Sequence, residues 1–236
     1  MSRPRAVVLA AAGTNRDRDV SLALDLAGAE PSIVLLNELV ERPALLDDAQ
    51  IVVVAGGFSF ADALGAGRLF ALELRHRTAD ALHRAVAAGR PTIGICNGFQ
   101  VLTATGLLPG SLGHNASGHF QCEWVTLAAP ASACVWTTGI ATFDCPIAHG
   151  EGRFVHADPA ALAAAGQVAL TYLGHNPNGS VGDIAGVCDA SGVVLGLMPH
   201  PENHIVARQH PHHRRQPATA LGLALFDNGV RYAKER

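Results

Sequence analysis

Over its first hundred residues the chain alternates short, mostly apolar runs with longer stretches of mixed polarity. Continuous apolar and β-branched runs are typical of strands that are buried on both faces of a sheet. Four such runs occupy residues 5–12, 32–36, 51–55 and 92–95. Between them, residues 17–29 and the alanine- and leucine-rich residues 69–88 favour helices. Because parallel strands need crossover connections, this order predicts a parallel sheet covered by helices.

Beyond Gly106 the pattern changes to short runs separated by glycine, proline and asparagine, which predicts further strands. The predicted strands are residues 122–127, 133–137, 167–173, 184–188 and 193–197. The turn at 189–192 joins the last two as a hairpin, and residues 217–233 are predicted to form a closing helix. No linker or repeat divides the chain, so we expect residues 1–236 to form a single domain. The predicted fold class is α/β, with a flavodoxin-like, mostly parallel central sheet flanked by helices and an additional antiparallel region in the C-terminal half.

The composition excludes several classes of protein. The 236 residues are 49% hydrophobic and 16% charged, which indicates a globular rather than a disordered chain. The net charge of −3 gives no general attraction to nucleic acids or anionic membranes. No apolar run approaches the roughly 20 residues that cross a bilayer. Five scattered cysteines without CxxC spacing disfavour a disulfide framework and a zinc site. We therefore expect a cytoplasmic protein without a metal.

The run at 92–95 ends at a cysteine that lies between two glycines. Gly94 and Gly98 flank Cys96, and a nucleophile on a tight strand-to-helix turn needs such small neighbours. A helix that begins directly after the turn would favour negative charge at the thiol. An isolated cysteine of this kind is more often a small buried residue. The interpretation as a nucleophile therefore depends on finding a base elsewhere in the chain.

A candidate base follows the last predicted strand, in the segment Pro199-His200-Pro201-Glu202. Residues i and i+2 of an extended segment project to the same side, so His200 and Glu202 can face one site. The imidazole would take the thiol proton, and Glu202 would hold the imidazole in one tautomer. Alone, the pair would be interpreted as a solvated surface turn. Together with Cys96 it predicts a Cys-His-Glu hydrolytic triad.

Two glycines after the run at 51–55 complete the candidate chemistry. The backbone N–H groups of Gly57 and Asn97 would turn toward a developing oxyanion. Alone this signal is weak, because a Gly-Gly pair after a strand is usually just a turn. No Gly-Lys-Ser/Thr follows, which excludes a phosphate-binding P-loop.

Three polar segments carry weaker signals. Residues 149–152 and 176–180 are punctuated by glycine and are interpreted as turns rather than sites. Residues 203–217 are rich in histidine, but their spacing fits no zinc pattern, so we expect a solvated loop there.

Together these segments resemble the class I (triad) glutamine amidotransferases. The cysteine elbow and the His-Pro-Glu segment would identify only this wider class. More narrowly, five stretches resemble the glutaminase subunits of phosphoribosylformylglycinamidine (FGAM) synthase, and they run over nearly the whole chain. They are residues 56–60, 94–110, 148–152, 176–186 and 194–202.

The resemblance implies a fold, an activity and a set of roles. L-glutamine would be hydrolysed through a cysteine thioester on a class I glutamine amidotransferase fold. The implied site residues are Cys96, His200 and Glu202 as the triad, Gly57 and Asn97 as oxyanion donors, and Gly56, Phe58, Gln100 and His149 as glutamine contacts.

The resemblance also implies partners. The ammonia would pass to a separate synthetase subunit, which uses ATP and Mg²⁺ to convert formylglycinamide ribonucleotide (FGAR) to the amidine in purine synthesis. A small third subunit would bridge the two, and this chain itself would hold no cofactor. Three residues depart from the family pattern: Ala55 replaces a proline, Arg16 a cysteine and Asn203 an arginine. Residues 112–143 match poorly.

Three alternatives stay open at the level of sequence. Another class I glutaminase, such as that of vitamin B6 or guanylate synthesis, would share the elbow but not the narrower motifs. A cysteine-elbow protein of the DJ-1/PfpI type would take its histidine from the position directly after the cysteine, where Asn97 stands. A catalytically silent interaction subunit would not need Cys96, His200 and Glu202 together.

Overall fold

One mixed sheet of nine strands runs through the protein. The computed structural model describes residues 2–215 and 220–236, and every element below lies in these ranges. In spatial order the strands are β2 (Glu30–Leu35), β1 (Arg5–Ala10), β3 (Ile51–Val54), β4 (Thr92–Ile95), β11 (Val194–Leu197), β10 (Ile184–Cys188), β9 (Val168–Leu173), β6 (Gln121–Ala128) and β7 (Thr142–His149). A separate antiparallel pair joins β5 (Ser111–Gly113) to β8 (Arg153–Val155).

Helices connect the parallel strands and pack against the sheet. They are α1 (Asp17–Leu26), α2 (Leu36–Glu41), α3 (Ala44–Asp48), α4 (Arg68–Arg77), α5 (Ala79–Ala87), α6 (Asn97–Ala104), α7 (Pro159–Ala164) and α8 (Leu223–Lys234). Short 3₁₀ helices occupy Ser59–Asp62, Val135–Thr137, Val181–Asp183, Pro201–Asn203 and Ala207–Gln209. Within the described ranges, no helix is both long and apolar enough to span a membrane.

The pairing of neighbouring strands changes from parallel to antiparallel halfway across the sheet. Strands β2, β1, β3, β4 and β11 pair with one another in parallel, whereas from β11 onward the pairs β11–β10, β10–β9, β9–β6 and β6–β7 are antiparallel. The predicted hairpin of residues 184–188 and 193–197 is confirmed, and it forms this point of reversal. The predicted α/β fold, with a parallel half and an antiparallel C-terminal region, is therefore confirmed.

Two predicted elements are wrong in detail. Residues 133–137 contain the short helix Val135–Thr137 instead of a strand. Their backbone bonds to the turns that precede β9 and β11: Ala133 N–H donates to Gly166 O and Val135 N–H to Gly192 O, each at 2.9 Å. The predicted helix 69–88 is two helices, because the chain leaves helical geometry at Thr78 (φ −141°). The closing helix is observed from Leu223, and the start predicted at 217 lies outside the described residues.

Strand β7 was not predicted, although buried and less buried residues alternate along it. Pro146 in its middle argues against a central strand, because proline cannot donate to a ladder. The structure places β7 at the edge of the sheet, where this is tolerated. There the Pro146 carbonyl accepts a hydrogen bond from His200 N–H (2.8 Å), which ties the edge strand to the predicted catalytic segment.

The turn between β4 and α6 depends on a close approach of two backbones. A Cβ added at Gly98 would overlap the carbonyl oxygen of Val54 in β3, and one added at Gly94 would lie 2.6 Å from Gly98 O. Both contacts are with backbone atoms, which cannot rotate away. Glycine is therefore required here by space, as the sequence pattern predicted.

We expect Gly98→Ala to destabilise the protein by about 1–3 kcal/mol, because the methyl group overpacks α6 against β3. Urea unfolding would measure the loss. Thr103→Ala, a change to alanine later in the same helix, is the matched control and should cost less. Equal stability of Gly98→Ala and the wild type would show that α6 can shift, contrary to this packing argument.

Candidate active site

Cys96 occupies a strained turn at the end of β4. Its backbone has φ 51° and ψ −105°, a conformation that non-glycine residues rarely adopt and that costs roughly 1–3 kcal/mol. Cys96 N–H donates to Leu197 O (2.8 Å), so the turn is fastened to the end of β11. The residue is only 6% exposed, and Sγ lies 3.9 Å from Ala148 O. The sheet therefore holds a strained cysteine at the start of a helix.

His200 reaches Cys96 because β11 lies beside β4 in the sheet. Leu197 pairs with Ile95, so the segments that follow the two strands leave the sheet at the same edge. A Cβ added at Gly56 would lie 3.1 Å from His200 Cε1 and 3.5 Å from Cys96 Cβ, which shows that the three residues meet. His200 Nδ1 is 2.7 Å from Glu202 Oε1, and both side chains are buried. The three predicted triad residues are thus brought together.

The environment of His200 favours its protonated form. Burial acts against the charge, but Glu202 and the neighbouring Cys96 outweigh burial and raise the pKa of His200 to about 10. A buried imidazole between a carboxylate and a thiol can hold a proton taken from sulfur. The electrostatics therefore suit a histidine that accepts a thiol proton.

The two predicted oxyanion donors lie at the same site. Asn97 is the first residue of α6, so its N–H has no acceptor within the helix. Gly57 has φ 133°, and a Cβ there would lie 2.6 Å from the backbone N of Asn15. The side chain of Asn97 is held separately, since its Oδ1 accepts from Ser59 Oγ (2.5 Å) and its Nδ2 donates to Asp62 (3.2 Å).

A cavity of about 130 Å³ opens beside the cysteine. Five predicted site residues line it: Gly57, Phe58, Cys96, Gln100 and His149. The side chain of Gln100 is held within the protein, because Nε2 donates to Glu151 O (2.6 Å) and Oε1 accepts from Asn97 Nδ2 (3.1 Å). These five residues, predicted far apart in sequence, therefore share one cavity, whereas Gly56, Asn97, His200 and Glu202 are not among its lining residues.

Other lining residues were not predicted. They are Asp62, Ala66, Phe120, Ala148, Gly150 and Glu151. Phe120 stacks on Phe58 with ring centroids 6.5 Å apart, and both rings are exposed. Burial raises the pKa of Asp62, the negative charge of Glu151 raises it further, and the hydrogen bond from Asn97 acts in the opposite direction. The cavity thus combines two stacked aromatic rings with two carboxyl groups.

One buried asparagine organises the end of β7 and the loop after it, which contribute His149, Gly150 and Glu151 to the cavity wall. Asn115 donates from Nδ2 to His149 O (2.9 Å) and from its backbone N–H to Gly150 O (2.9 Å). Its Oδ1 accepts from Gly152 N–H (3.0 Å) and lies 3.1 Å from His149 Nδ1. The residue is 3% exposed. Asn115 was missed because it lies in the stretch that matches the family poorly.

A second asparagine supports the same loop. Asn178 Nδ2 donates to Gly152 O (2.8 Å) and to Tyr172 Oη (3.0 Å). Residues 176–180 do form a turn, but Asn178 and Ser180 are buried. The asparagine- and glycine-rich motif therefore has a structural reason: it holds the loop after β7. The repeated asparagines were the signal in the sequence, and only the contacts show their purpose.

The prediction of a solvated loop is wrong for part of residues 203–217. His204 is 1% exposed, its Nδ1 lies 2.7 Å from Asp144 O, and its ring packs edge-on against Trp124 at 5.1 Å. His210 packs on the same indole at 4.6 Å. The polar sequence concealed this packing because histidine has an apolar ring body that can pack against an aromatic side chain. Residues 216–217 lie outside the described ranges.

Two departures from the family pattern meet at one carboxylate. Asp19 Oδ2 accepts from Arg16 (3.1 Å) and from Asn203 Nδ2 (2.9 Å). Position 203 lacks the arginine of the family pattern, and the arginine at position 16 binds the same carboxylate as Asn203. The bond from Asn203, which follows the triad glutamate, anchors the triad segment to α1.

Comparisons with known proteins agree with this geometry. The family model of the CobB/CobQ-like glutamine amidotransferase domain matches residues 3–233. A phosphoribosylformylglycinamidine synthase subunit PurQ from Treponema denticola is 45% identical, covering 98% of this chain and 99% of that protein. The PurQ subunit of Dehalococcoides mccartyi is 40% identical over the full length of both chains.

Solved structures give the same result. A chain in the structure of PurLQS from Thermotoga maritima superposes with a TM-score of 0.82 at 36% identity, covering 98% of this chain and 99% of that one. A glutamine amidotransferase from Thermotoga maritima has a TM-score of 0.58 at 18% identity, covering 89% of this chain and 80% of that one, and shares the fold alone. The chain belongs to the CobB/CobQ-like glutamine amidotransferase family.

Proposed function

We propose that this chain is the glutaminase subunit of FGAM synthase, which hydrolyses L-glutamine and supplies the ammonia that converts FGAR to FGAM. The main support is that Cys96 lines a cavity and lies beside His200, which is paired with Glu202, in a chain that matches PurQ subunits over nearly its whole length. Membership of the glutamine amidotransferase family supports glutamine as the substrate of this site.

The first half of the reaction forms a thioester. His200, held at Nδ1 by Glu202, takes the proton from Cys96, and the sulfur attacks the side-chain amide carbon of glutamine. The N–H groups of Gly57 and Asn97 stabilise the oxyanion that forms. His200 then gives the proton to the amide nitrogen, the C–N bond breaks, and ammonia leaves.

The second half releases glutamate. Water attacks the thioester carbon with His200 as the base, and the sulfur departs and recovers its proton from His200. Phe58, Gln100 and His149 of the cavity wall, and Gly56 beside Cys96, would contact glutamine during both steps. We add Asp62 and Glu151, whose carboxyl groups suit the α-ammonium group of glutamine.

The ammonia is consumed by a partner. We propose that the synthetase subunit (PurL), which uses ATP and Mg²⁺, receives it, and that a small bridging subunit (PurS) joins the two in the cytoplasm. The support is the similarity to a chain of the Thermotoga maritima PurLQS structure. This chain would itself bind no cofactor. Its buried apolar residues form one cluster, which supports treating residues 1–236 as a single domain.

The alternatives are less well supported. Full-length matches to PurQ subunits favour this function over another class I glutaminase. A DJ-1/PfpI-type protein takes its histidine from the position after the cysteine, whereas here His200 comes from the end of β11. A catalytically silent subunit would have no need of the strained backbone at Cys96.

We expect Cys96→Ala to abolish glutamine-dependent FGAM formation by the assembled complex and to leave ammonia-dependent formation intact, because only the thioester step needs the sulfur. A glutamine-derived electrophile should label Cys96, as mass mapping would show. Cys122→Ala, which removes an exposed thiol, is the matched control and should change neither activity. Loss of ammonia-dependent synthesis in Cys96→Ala, or labelling elsewhere, would contradict the assignment.

We expect Glu202→Gln to lower the pKa of His200 from about 10 toward or below its ordinary value of 6.5, because the variant lacks the carboxylate charge that opposes the effect of burial. In the wild type, the raised pKa stabilises the fold fully below pH 6.5, and this stabilisation is lost as the pH rises toward 10. The variant should therefore lose less stability than the wild type as the pH rises from 6.5 toward 10. NMR titration of His200 and unfolding at several pH values would measure both effects.

Glu123→Gln is the control for this titration. Glu123 faces His175 at 3.6 Å in an exposed pair. Neutralising Glu123 should therefore leave the pKa of His200 unchanged. If His200 titrates alike in Glu202→Gln and in the wild type, Glu202 does not hold the imidazole.

A further inference from the structure

The orientation of the Asn115 amide is determined by backbone groups alone. Its Nδ2 donates to two carbonyl oxygens, His119 O and His149 O, each at 2.9 Å. Its Oδ1 accepts from Gly152 N–H at 3.0 Å. A flipped amide would place its NH₂ against an N–H donor and its oxygen against two carbonyls. Oδ1 is therefore an acceptor toward every neighbour.

This orientation determines the tautomer of His149. His149 Nδ1 lies 3.1 Å from Asn115 Oδ1, and a bond there requires the hydrogen to be on Nδ1. In a neutral ring, Nε2 then carries a lone pair and no hydrogen. Among the described residues, Nε2 is buried and has no hydrogen-bond partner. A buried acceptor without a donor is costly unless a ligand supplies the donor.

The ring is also kept neutral. Burial lowers the pKa of His149 to about 4, and the charge on the nearby His200 acts in the same direction. The residue lines the Cys96 cavity and is 3% exposed. Asn115 carries no charge and cannot compensate for a proton on the ring. His149 is therefore a permanent hydrogen-bond acceptor at neutral pH.

We propose that Nε2 of His149 accepts a hydrogen bond from the carboxamide NH₂ of glutamine and then from the ammonia it becomes, and that Asn115 is the positioning residue that fixes the required tautomer. The inference rests on the proposed glutaminase function. It assigns different tasks to the two imidazoles of the site. His200 moves a proton, whereas His149 accepts a hydrogen bond at Nε2 and has no hydrogen there to donate, so His149 cannot convert the departing ammonia to ammonium.

The chemistry balances without a further reactant. The leaving nitrogen carries two hydrogens in the amide and gains the third from His200 as its C–N bond breaks. His149 breaks no bond and receives no proton. A neutral acceptor stabilises the NH₂ group in the ground state and the developing NH₃ as the bond lengthens. A charged His149 would present an N–H donor to these hydrogens instead.

The test compares His149→Phe and His149→Gln in the assembled synthase. Phenylalanine keeps the ring and removes the acceptor, while glutamine can place an oxygen near the position of Nε2. We expect His149→Phe to lower kcat/KM for glutamine by about tenfold or more, the size expected for the loss of one hydrogen bond. His149→Gln should recover most of this loss. Ammonia-dependent synthesis should stay unchanged in both variants, which reports that the complex is intact.

His204→Phe is the matched control. His204 is equally buried, and its Nε2 also lacks a partner among the described residues, but it lies outside the cavity. Its replacement should leave kcat/KM for glutamine close to the wild-type value. If His149→Phe retains wild-type activity with glutamine, the inference is overturned while the proposed function stands. If the wild-type complex uses ammonia but not glutamine, the proposed function itself fails.

The role of Asn115 is tested by the pH profile. In Asn115→Asp a carboxylate would face Nδ1–H of His149 and raise the pKa of the ring. We expect the acid limb of kcat/KM for glutamine to move to higher pH, whereas a purely structural defect would lower activity equally at every pH. Nitrogen-15 NMR of the wild-type chain gives a second readout. Hydrogen on Nδ1 and a bare Nε2 near pH 7 are expected, and hydrogen on Nε2 would overturn the proposal.

Discussion

The parallel pairing of β4 with β11 is the constraint on which the site depends. Ile95 and Leu197 are register partners, so the two segments that follow these strands leave the sheet side by side. The bond from Cys96 N–H to Leu197 O then fastens the cysteine turn to the strand that leads to His200. Two residues about a hundred positions apart meet because adjacent parallel strands end at one edge, the place where open α/β sheets commonly bind ligands.

The rest of the site lies on loops, and side-chain amides hold those loops in place. Asn115 and Asn178 fasten the segment after β7 from two sides, and Asn97 joins the start of α6 to the Ser59–Asp62 turn. An amide can donate and accept at once without introducing a charge. Irregular backbone can therefore be buried beside the cysteine without leaving its polar groups unpaired.

Two buried histidines in one site have opposite protonation behaviour for identifiable reasons. Burial disfavours the charged form of both rings. For His200 the carboxylate of Glu202 and the sulfur of Cys96 outweigh burial, whereas His149 faces a neutral amide and the charge of His200. The pKa values are thereby pushed in opposite directions, which is how a single site can contain a proton carrier and a neutral acceptor.

The sequence by itself determined the local features. Apolar runs located the parallel strands, and the glycines around Cys96 located the turn whose tight packing admits no side chain. Sequence patterns also singled out Cys96, His200 and Glu202. Only the tertiary structure decided which loops meet. Strand β7 was hidden by Pro146, and Asn115 and Asp62 carry no local signal, since their roles come from partners distant in the chain. Periodicity reports what one segment buries, whereas a cavity is formed by segments that sequence distance does not relate.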